Sequence, residues 1–402
     1  MTEDPEPSRR QFLWAGARGI AAATLAASCS GDSQPSQSRA PRSPSSVRML
    51  GRTGLRLPVV SIGSGPAEMI RSALEEGLKY VHTSSSYAER NHERMLGQAL
   101  KGLPRDSFVL GTSPDLPYRF SGAGPSMDVG VEVDPGLIAK AMDESLERLG
   151  LDHVDIYYLA SVGMRRTALH EPYLRSYEAL KQRCLTRFIG LVTHSNEPEV
   201  IRAAVDSGRW DVVVTAYNFR QSHREAVAAA MAAAAEAGLG VVAMKTQAGV
   251  YWDRFRTRKI NMKAALKWVV QNEHVHTTIP AFSNYEELQE DLDVVRAPAL
   301  TPEERSDLRI GERAGLSGVF CQQCGRCLPQ CPFGANVTAL MRASMYRVGY
   351  AQPAQARRLL AGWTSADIPC SRCRGCRVRC ALGLDVRAAA LDLVPLLHGR
   401  TV

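Results

Sequence analysis

The sequence predicts an α/β fold, in which a (β/α)8 TIM barrel over residues 47–310 is followed by a small helical domain over residues 311–402. Short β-branched runs alternate with longer helical segments from residue 47 onward, which is typical of parallel strands buried on both faces. This repeat occurs eight times within ~250 residues, the usual size of such a barrel. An open doubly wound sheet is the alternative, but no GxGxxG turn follows the first strand.

Each barrel strand is predicted from a short apolar run. In order, these runs read PVVSIGSG, KYVHT, FVLGT, HVDIYYLA, TRFIGLV, WDVVVTA, GVVAMKT and VHTTIPA. Helices follow most of them, and one is marked especially well. Asp134 is its predicted N-cap, Pro135 stands in its first turn and Gly150 ends it.

The N-terminal segment carries an export pattern. Residues 8–14 read SRRQFLW and precede a mildly apolar stretch, so they resemble a twin-arginine signal. We predict a signal peptide over residues 1–29 and a disordered Ser/Pro/Gln-rich linker over residues 30–46. Cys29 is an alternative lipid-attachment site beside simple cleavage. Either outcome predicts export, to the periplasm or to a lipid anchor on the membrane.

The blocks of the barrel resemble the aldo-keto reductase family. Five of them match that family in order: LGRTGLRLPVVSIGSG, YVHTSSSYAERNHERMLGQAL, LERLGLDHVDIYYL, FIGLVTHS and VVAMK. The resemblance covers nearly all of residues 47–295. It implies a barrel that binds a nicotinamide cofactor at its C-terminal mouth and reduces carbonyl compounds.

The family's chemistry uses an Asp, a Tyr, a Lys and a His, and only one of the four is retained. Tyr87 stands at the position of the proton-donating tyrosine, while His82, Ser113 and Ala160 occupy the places of the Asp, Lys and His. Tyr87 and His82 are therefore the candidate catalytic residues, or else polar residues satisfied at a strand end. Without the lysine we expect Tyr87 to titrate near its unperturbed pKa of roughly 10, and His82 near neutrality.

Support for NADP(H) comes from the resemblance more than from individual residues. The segment after the eighth strand, IPAFSNYEELQEDL, has no basic residue. Lys245, at the end of the seventh strand, is the candidate cofactor-binding cation, with a solvated strand-end lysine as the alternative. Cys184 precedes a strand and is expected to be a buried small apolar residue.

Eight of the ten cysteines form two C-x2-C-x2-C-x3-C motifs in the last domain. This spacing is typical of 4Fe–4S clusters, in which three thiolates bind one cluster and the fourth binds elsewhere. Zinc prefers paired C-x2-C units, and disulfides between such close neighbours would be strained. The motif cysteines are Cys321, Cys324, Cys327, Cys331, Cys370, Cys373, Cys376 and Cys380.

The two motifs resemble those of two-cluster ferredoxins, and the barrel with this tail resembles the ferredoxin-tailed branch of the aldo-keto reductases. The resemblance implies two 4Fe–4S clusters in a ferredoxin-like domain. It assigns the first cluster to Cys321, Cys324, Cys327 and Cys380. It assigns the second cluster to Cys331, Cys370, Cys373 and Cys376.

The net charge of +8 belongs to this last domain. Residues 311–402 contain twelve arginines, no lysine and four acidic residues, so the first 310 residues are balanced. The arginines offset the charge of the clusters and could dock an acidic redox partner. They are not ordered on a periodic helix face outside the cysteine motifs, which argues against nucleic-acid binding.

These features lead to one principal hypothesis and two alternatives. The first is an exported iron–sulfur oxidoreductase that passes electrons through two clusters to a barrel-mouth site with a degenerate catalytic tetrad. The second is an NADPH-dependent carbonyl reductase that relies on Tyr87. The third is a non-catalytic electron carrier or scaffold. The substrate is left open.

Overall fold

The structure is a computed structural model, and it describes residues 46–117, 127–253, 257–313, 321, 323, 325–349 and 352–397. The signal peptide, the linker up to residue 45, Cys29 and Cys324 lie outside the described residues. None of the helices in the described part of the chain has the length and apolar character needed to cross a membrane.

The barrel is a parallel sheet preceded by an antiparallel hairpin of β1 (Val47–Met49) and β2 (Arg56–Pro58). Seven strands follow one another in space as they do along the chain. They are β3 (Tyr80–His82), β4 (Val109–Thr112), β5 (Val154–Leu159), β6 (Thr186–Thr193), β7 (Val212–Ala216), β8 (Gly240–Met244) and β9 (Thr277–Thr278).

The run PVVSIGSG closes this sheet into a barrel. It makes isolated parallel bridges instead of the continuous strand that the sequence predicts: Val60 pairs with Thr278 in β9, and Ile62 pairs with Val81 in β3. A Cβ on Gly63 would lie 2.3 Å from the carbonyl oxygen of Ile279, so only glycine permits this approach. The eighth strand position of the barrel is therefore occupied by a segment that pairs with both edge strands, β3 and β9.

The helices follow the strands in the order expected of a (β/α)8 barrel. Those of the barrel are α1 (Ala67–Glu75), α2 (His92–Leu100), α3 (Gly136–Leu149), α4 (Arg165–Ala168), α5 (Glu171–Gln182), α6 (Glu197–Ser207), α7 (Arg224–Glu236), α8 (Met262–Val270), α9 (Tyr285–Arg296), α10 (Pro302–Asp307) and α11 (Ile310–Arg313). Gly150 ends α3 at φ +65°. The predicted stop at Gly150 is thus confirmed. The predicted N-cap was one residue too early, because Pro135 is the N-cap and Asp134 Oδ1 accepts from the Gly136 amide at 2.8 Å.

Alternation along the strands produces two apolar layers. Tyr157 and Val213 point outward and pack with the helices, while Tyr158 and Val214 point into the barrel interior. Leu57 of the hairpin joins the interior set and fills one end of the barrel. The strands are therefore buried on both faces, as their continuous apolar runs predict.

The C-terminal domain is helical and has much smaller cores. Its helices are α12 (Val337–Ser344), which continues as a π-helical turn (Met345–Gly349), then α13 (Pro353–Leu359), α14 (Val386–Leu391) and α15 (Val394–Leu397). Short 3-10 turns, Leu328–Gln330 and Pro369–Ser371, lie beside the cysteine motifs. Cysteine side chains pack into both small apolar clusters of this domain.

Cys184 is not where the sequence analysis put it. It is exposed, in the tight connection between α5 and β6, and its backbone has φ +58°. The connection turns at the surface before the strand begins, so the apolar character of the following strand does not extend to this residue. The expectation of a buried cysteine was wrong.

Candidate active site at the barrel mouth

The C-terminal domain packs over the ends of the barrel strands. Arg342 in α12 donates from Nη2 to the carbonyl oxygen of His194, just after β6, at 3.3 Å. Arg358 in α13 donates to the carbonyl oxygen of Ser86 at 3.1 Å and forms an ion pair with Asp115. These barrel residues follow the carboxyl ends of their strands, where (β/α)8 barrels carry their active sites. The second domain therefore covers the mouth.

His82 ends β3 and anchors a chain of polar side chains inside the barrel. Its Nδ1 lies 3.0 Å from the Tyr80 hydroxyl, which lies 2.7 Å from the Tyr158 hydroxyl. A Cβ at Gly111 would come within 2.7 Å of the Tyr158 ring and 2.9 Å of the Tyr80 hydroxyl. Glycine at this strand position is what makes room for the two tyrosines.

Burial changes the chemistry expected of His82. The residue is 3% exposed, and burial lowers the pKa of its imidazole to about 4. The side chain is therefore neutral at pH 7, because the protein interior disfavours the charged form. The expectation of near-neutral titration was wrong, and His82 acts here as an uncharged hydrogen-bonding group.

Tyr87 lies at the edge of the mouth, where the second domain approaches it. Burial, with the Tyr346 hydroxyl of the π-helical turn as the second cause, raises the pKa of Tyr87 to about 12, although the residue as a whole keeps some solvent exposure. Its ring meets the His92 ring edge-on at 6.1 Å between centroids. The expected pKa near 10 was too low, so Tyr87 is a protonated donor at neutral pH.

The two other replaced positions are also at the mouth. Ser113 is 2% exposed, and its carbonyl oxygen accepts from the Ser85 amide at 3.0 Å. Ala160 is half-buried after β5. Neither residue restores the charge of the lysine or the imidazole that the family resemblance would place there.

Lys245 follows β8 and is not a solvated lysine. Burial of its ammonium group and then the charge of Arg342 lower its pKa well below the usual value, although part of the residue is exposed. The backbone at Lys245 has φ +54°. The described structure thus brings Lys245 close to Arg342, a residue that the sequence analysis did not single out. The sequence feature that could have identified Arg342 is its position as the single charged residue in the apolar run VTALMRASM.

Four cysteines of the C-terminal domain line one cavity. They are the four that the ferredoxin resemblance assigns to the second cluster: Cys331, Cys370, Cys373 and Cys376. Burial, followed by the charges of the other three thiols, raises the pKa of Cys370. Four mutually close thiols around a cavity are a donor set that fits a 4Fe–4S cluster. The ligand assignment itself stays a prediction.

The remaining described cysteines pack with one small apolar cluster. Cys321, Cys327 and Cys380 contact it together with Cys331 and Cys376, and Cys324 lies outside the described residues. The Gln323 side-chain amide donates to Cys321 Sγ at 3.1 Å. In the part of the chain that the structure describes, no three His, Cys, Asp or Glu side chains converge on a single metal ion. Thiols around a cluster are spaced more widely, because each binds a different iron.

Comparisons with known proteins agree with this architecture. Residues 66–263 match the model of the aldo/keto reductase family, and residues 320–385 match that of a 4Fe-4S dicluster domain. L-galactose dehydrogenase of Arabidopsis thaliana is 31% identical over 162 residues, which are 36% of this chain and 47% of that protein. NADH-specific methylglyoxal reductase of Escherichia coli K12 is 30% identical over 112 residues, 24% of this chain and 34% of that protein.

The solved structures show the same fold. Aldo-keto reductase AKR11C1 from Bacillus halodurans, in its holo form, superposes with a TM-score of 0.52 at 22% identity, over 66% of this chain and 96% of that one. The chain spans less than half the length of the curated relatives named above. It contains an aldo-keto reductase domain over residues 66–263 and a C-terminal 4Fe-4S dicluster domain over residues 320–385.

Proposed function

We propose that the protein is an exported iron–sulfur oxidoreductase in which two 4Fe–4S clusters exchange electrons with a substrate site at the barrel mouth. The observation that carries this proposal is the packing of the cluster domain over the mouth. Tyr346 of that domain approaches Tyr87, and Arg342 is bonded to the backbone at His194. Electron transfer over a short path needs the cluster domain to pack against the barrel mouth. A carrier domain that was only tethered to the barrel would not need this contact.

The chain's own residues prepare the site for proton donation. Tyr87 keeps its proton at neutral pH and is the candidate donor to a reduced substrate. His82 is neutral and is bonded to Tyr80, so it fixes the floor of the mouth without adding charge. The bound clusters would supply single electrons, held by the eight motif cysteines. The twin-arginine pattern at residues 8–14 supports export after the cofactor is inserted.

The cluster domain also offers a surface for an electron donor. Arg372, Arg374, Arg377 and Arg379 are exposed around the second cysteine motif. A cluster of exposed positive charge steers an acidic partner toward the site and speeds association at low salt. We therefore propose an acidic redox protein as the partner.

A nicotinamide-dependent reductase is the second candidate, favoured by the similarity to the NADH-specific methylglyoxal reductase of Escherichia coli. The described residues offer little for binding a nicotinamide cofactor. The segment from residue 279 to 290, after β9, has no basic side chain, and Arg342 reaches the mouth from the second domain. Isothermal titration of NADH and NADPH tests this candidate, and binding below millimolar concentration would favour it.

Electron paramagnetic resonance of the full chain tests the leading proposal. The protein is reconstituted anaerobically and reduced with dithionite. We expect about eight iron atoms per chain and signals from two reduced clusters. Tyr87→Phe should keep both signals and lose turnover with any substrate that is found. Absence of cluster signals would refute the proposal, and full activity of Tyr87→Phe would favour a passive electron carrier.

A further inference from the structure

Arg342 is a buried cation with unsatisfied hydrogen-bonding capacity. It is 0% exposed, and its Nη2 donates to the His194 carbonyl oxygen. Its Nε and Nη1 have no hydrogen-bond partner among the residues that the structure describes. A guanidinium has five N–H donors, three of them on these two atoms. Burying charged donors without acceptors is costly, so this arrangement calls for an anion.

A second cation stands next to the first. The charge of Arg342 acts on Lys245, a partly exposed residue whose charged form is also disfavoured by burial. Glu197 is the acidic side chain that acts on Lys245. Glu197 is already engaged by the His223 imidazole at 2.9 Å and by the Gln221 amide at 3.3 Å. The site therefore has donors in excess of acceptors.

A histidine on the barrel side of this site also has a nitrogen atom without a hydrogen-bond partner among the described residues. Nδ1 of His194 is buried and has no hydrogen-bond partner in the described part of the structure. His194 lies close enough to Lys245 and Arg342 for their charges to act on its imidazole. The unsatisfied groups thus surround one location, between the ends of β6 and β8 and the helix α12.

We propose that Arg342 and Lys245 bind the carboxylate group of a small-molecule substrate at the covered barrel mouth. The inference rests on the proposed function and deepens it by naming the chemical class of the substrate. A bound carboxylate would favour the charged form of Lys245, and two cations with one acidic residue that is already engaged then leave a single positive charge. This charge suits a monoanionic carboxylate better than a doubly charged phosphate.

The bound cluster itself is a competing source of negative charge. Cys321 is among the groups that act on Lys245. On α12, however, Val337 and Met341 are the side chains that pack with the cysteines, and Arg342 lies about 100° further around the helix. Its guanidinium is bonded to the barrel backbone instead. The Nη2 bond therefore holds the Arg342 guanidinium at the barrel mouth.

Binding of acetate to the oxidised, cluster-loaded full chain tests the inference. Calorimetry and thermal unfolding are measured for the wild type, Arg342→Met and the matched control Arg357→Met, which alters an exposed arginine of the neighbouring α13. We expect acetate to raise the melting temperature of the wild type and of the control alike, since a ligand bound to the folded state stabilises it. Arg342→Met should weaken acetate binding at least tenfold. Its melting temperature without acetate should be unchanged or higher.

Three results would overturn the inference. The first is equal acetate binding by Arg342→Met and Arg357→Met. The second is tighter binding of inorganic phosphate than of acetate, which would assign a different ligand class. A change in the cluster midpoint potential of Arg342→Met without any loss of acetate binding would show that Arg342 serves the cluster, and would also reject it. Because no turnover is needed, carboxylate binding in a chain without cluster signals would reject the proposed function while the inference stands.

Discussion

The barrel and the C-terminal domain are stabilised in different ways. The barrel buries a large outer layer that includes Trp210 and Tyr177 and a separate interior layer around Tyr158, both supplied by the chain alone. The C-terminal domain has two small clusters, and cysteines pack into each of them. A core of this size rarely stabilises a domain without a further cross-link or metal centre. The comparison indicates that the clusters are structural for the second domain and dispensable for the first.

Removing one thiol of the proposed second cluster should produce the largest effect. We expect Cys370→Ser to lose that cluster and the cooperative unfolding of residues 321–397, because metal binding and folding are coupled in such small domains. The barrel should still unfold cooperatively. Differential scanning calorimetry and limited proteolysis of the anaerobically purified protein measure both. Cys184→Ser, which changes an exposed cysteine far from both motifs in the sequence, is the control. An unchanged C-terminal transition in Cys370→Ser would contradict this expectation.

Acid should reveal an intermediate effect inside the barrel. The folded pKa of His82 is about 4, below the unfolded value of ~6.5, so the unfolded state binds more protons between these values and stability falls as pH falls. From pH 7 to pH 5 the loss attributable to His82 is about 2 kcal/mol. His82→Asn should lose about that much less in urea unfolding over the same interval.

The matched control for this measurement removes the hydrogen bond and keeps the titrating group. Tyr80→Phe deletes the hydroxyl that contacts His82 Nδ1. It should lower the free energy of unfolding by about 1 kcal/mol at both pH values and leave the pH dependence as in the wild type. If His82→Asn and the wild type showed the same pH dependence, His82 would not be the group that causes the loss of stability between pH 7 and pH 5.

The fold could be predicted from the sequence because its signals are local. Apolar runs such as VDIYYL and the helix end at Gly150 indicate strand and helix directly, and the cysteine spacing indicates its own chemistry. The isolated bridges at Val60 and Ile62 were not foreseen, since they depend on the close approach of Gly63 to Ile279, a residue far away along the chain.

The site was only partly predictable, because its chemistry depends on long-range contacts. The residue types at Tyr87 and His82 were readable, but their pKa values are set by burial that a linear sequence does not show. Lys245 was read as a possible cation of the mouth, whereas its neighbour Arg342 is contributed by a helix nearly 100 residues later. What the sequence cannot provide is the docking of the second domain over the first.

The smallest predicted effect concerns this docking, which links the barrel directly to the C-terminal domain. Arg358 is bonded to the Ser86 carbonyl oxygen and to Asp115, and Arg90 also pairs with Asp115 at 2.8 Å. Because both charges of the Arg358–Asp115 pair are partly exposed, Arg358→Met should weaken the docking by only about 1 kcal/mol. We expect faster amide exchange around Ser86 with unchanged cluster signals, and no such change in Arg357→Met. Loss of the cluster signals in Arg358→Met would instead mean that the barrel surface helps to fold the second domain, and that the two regions are not independent.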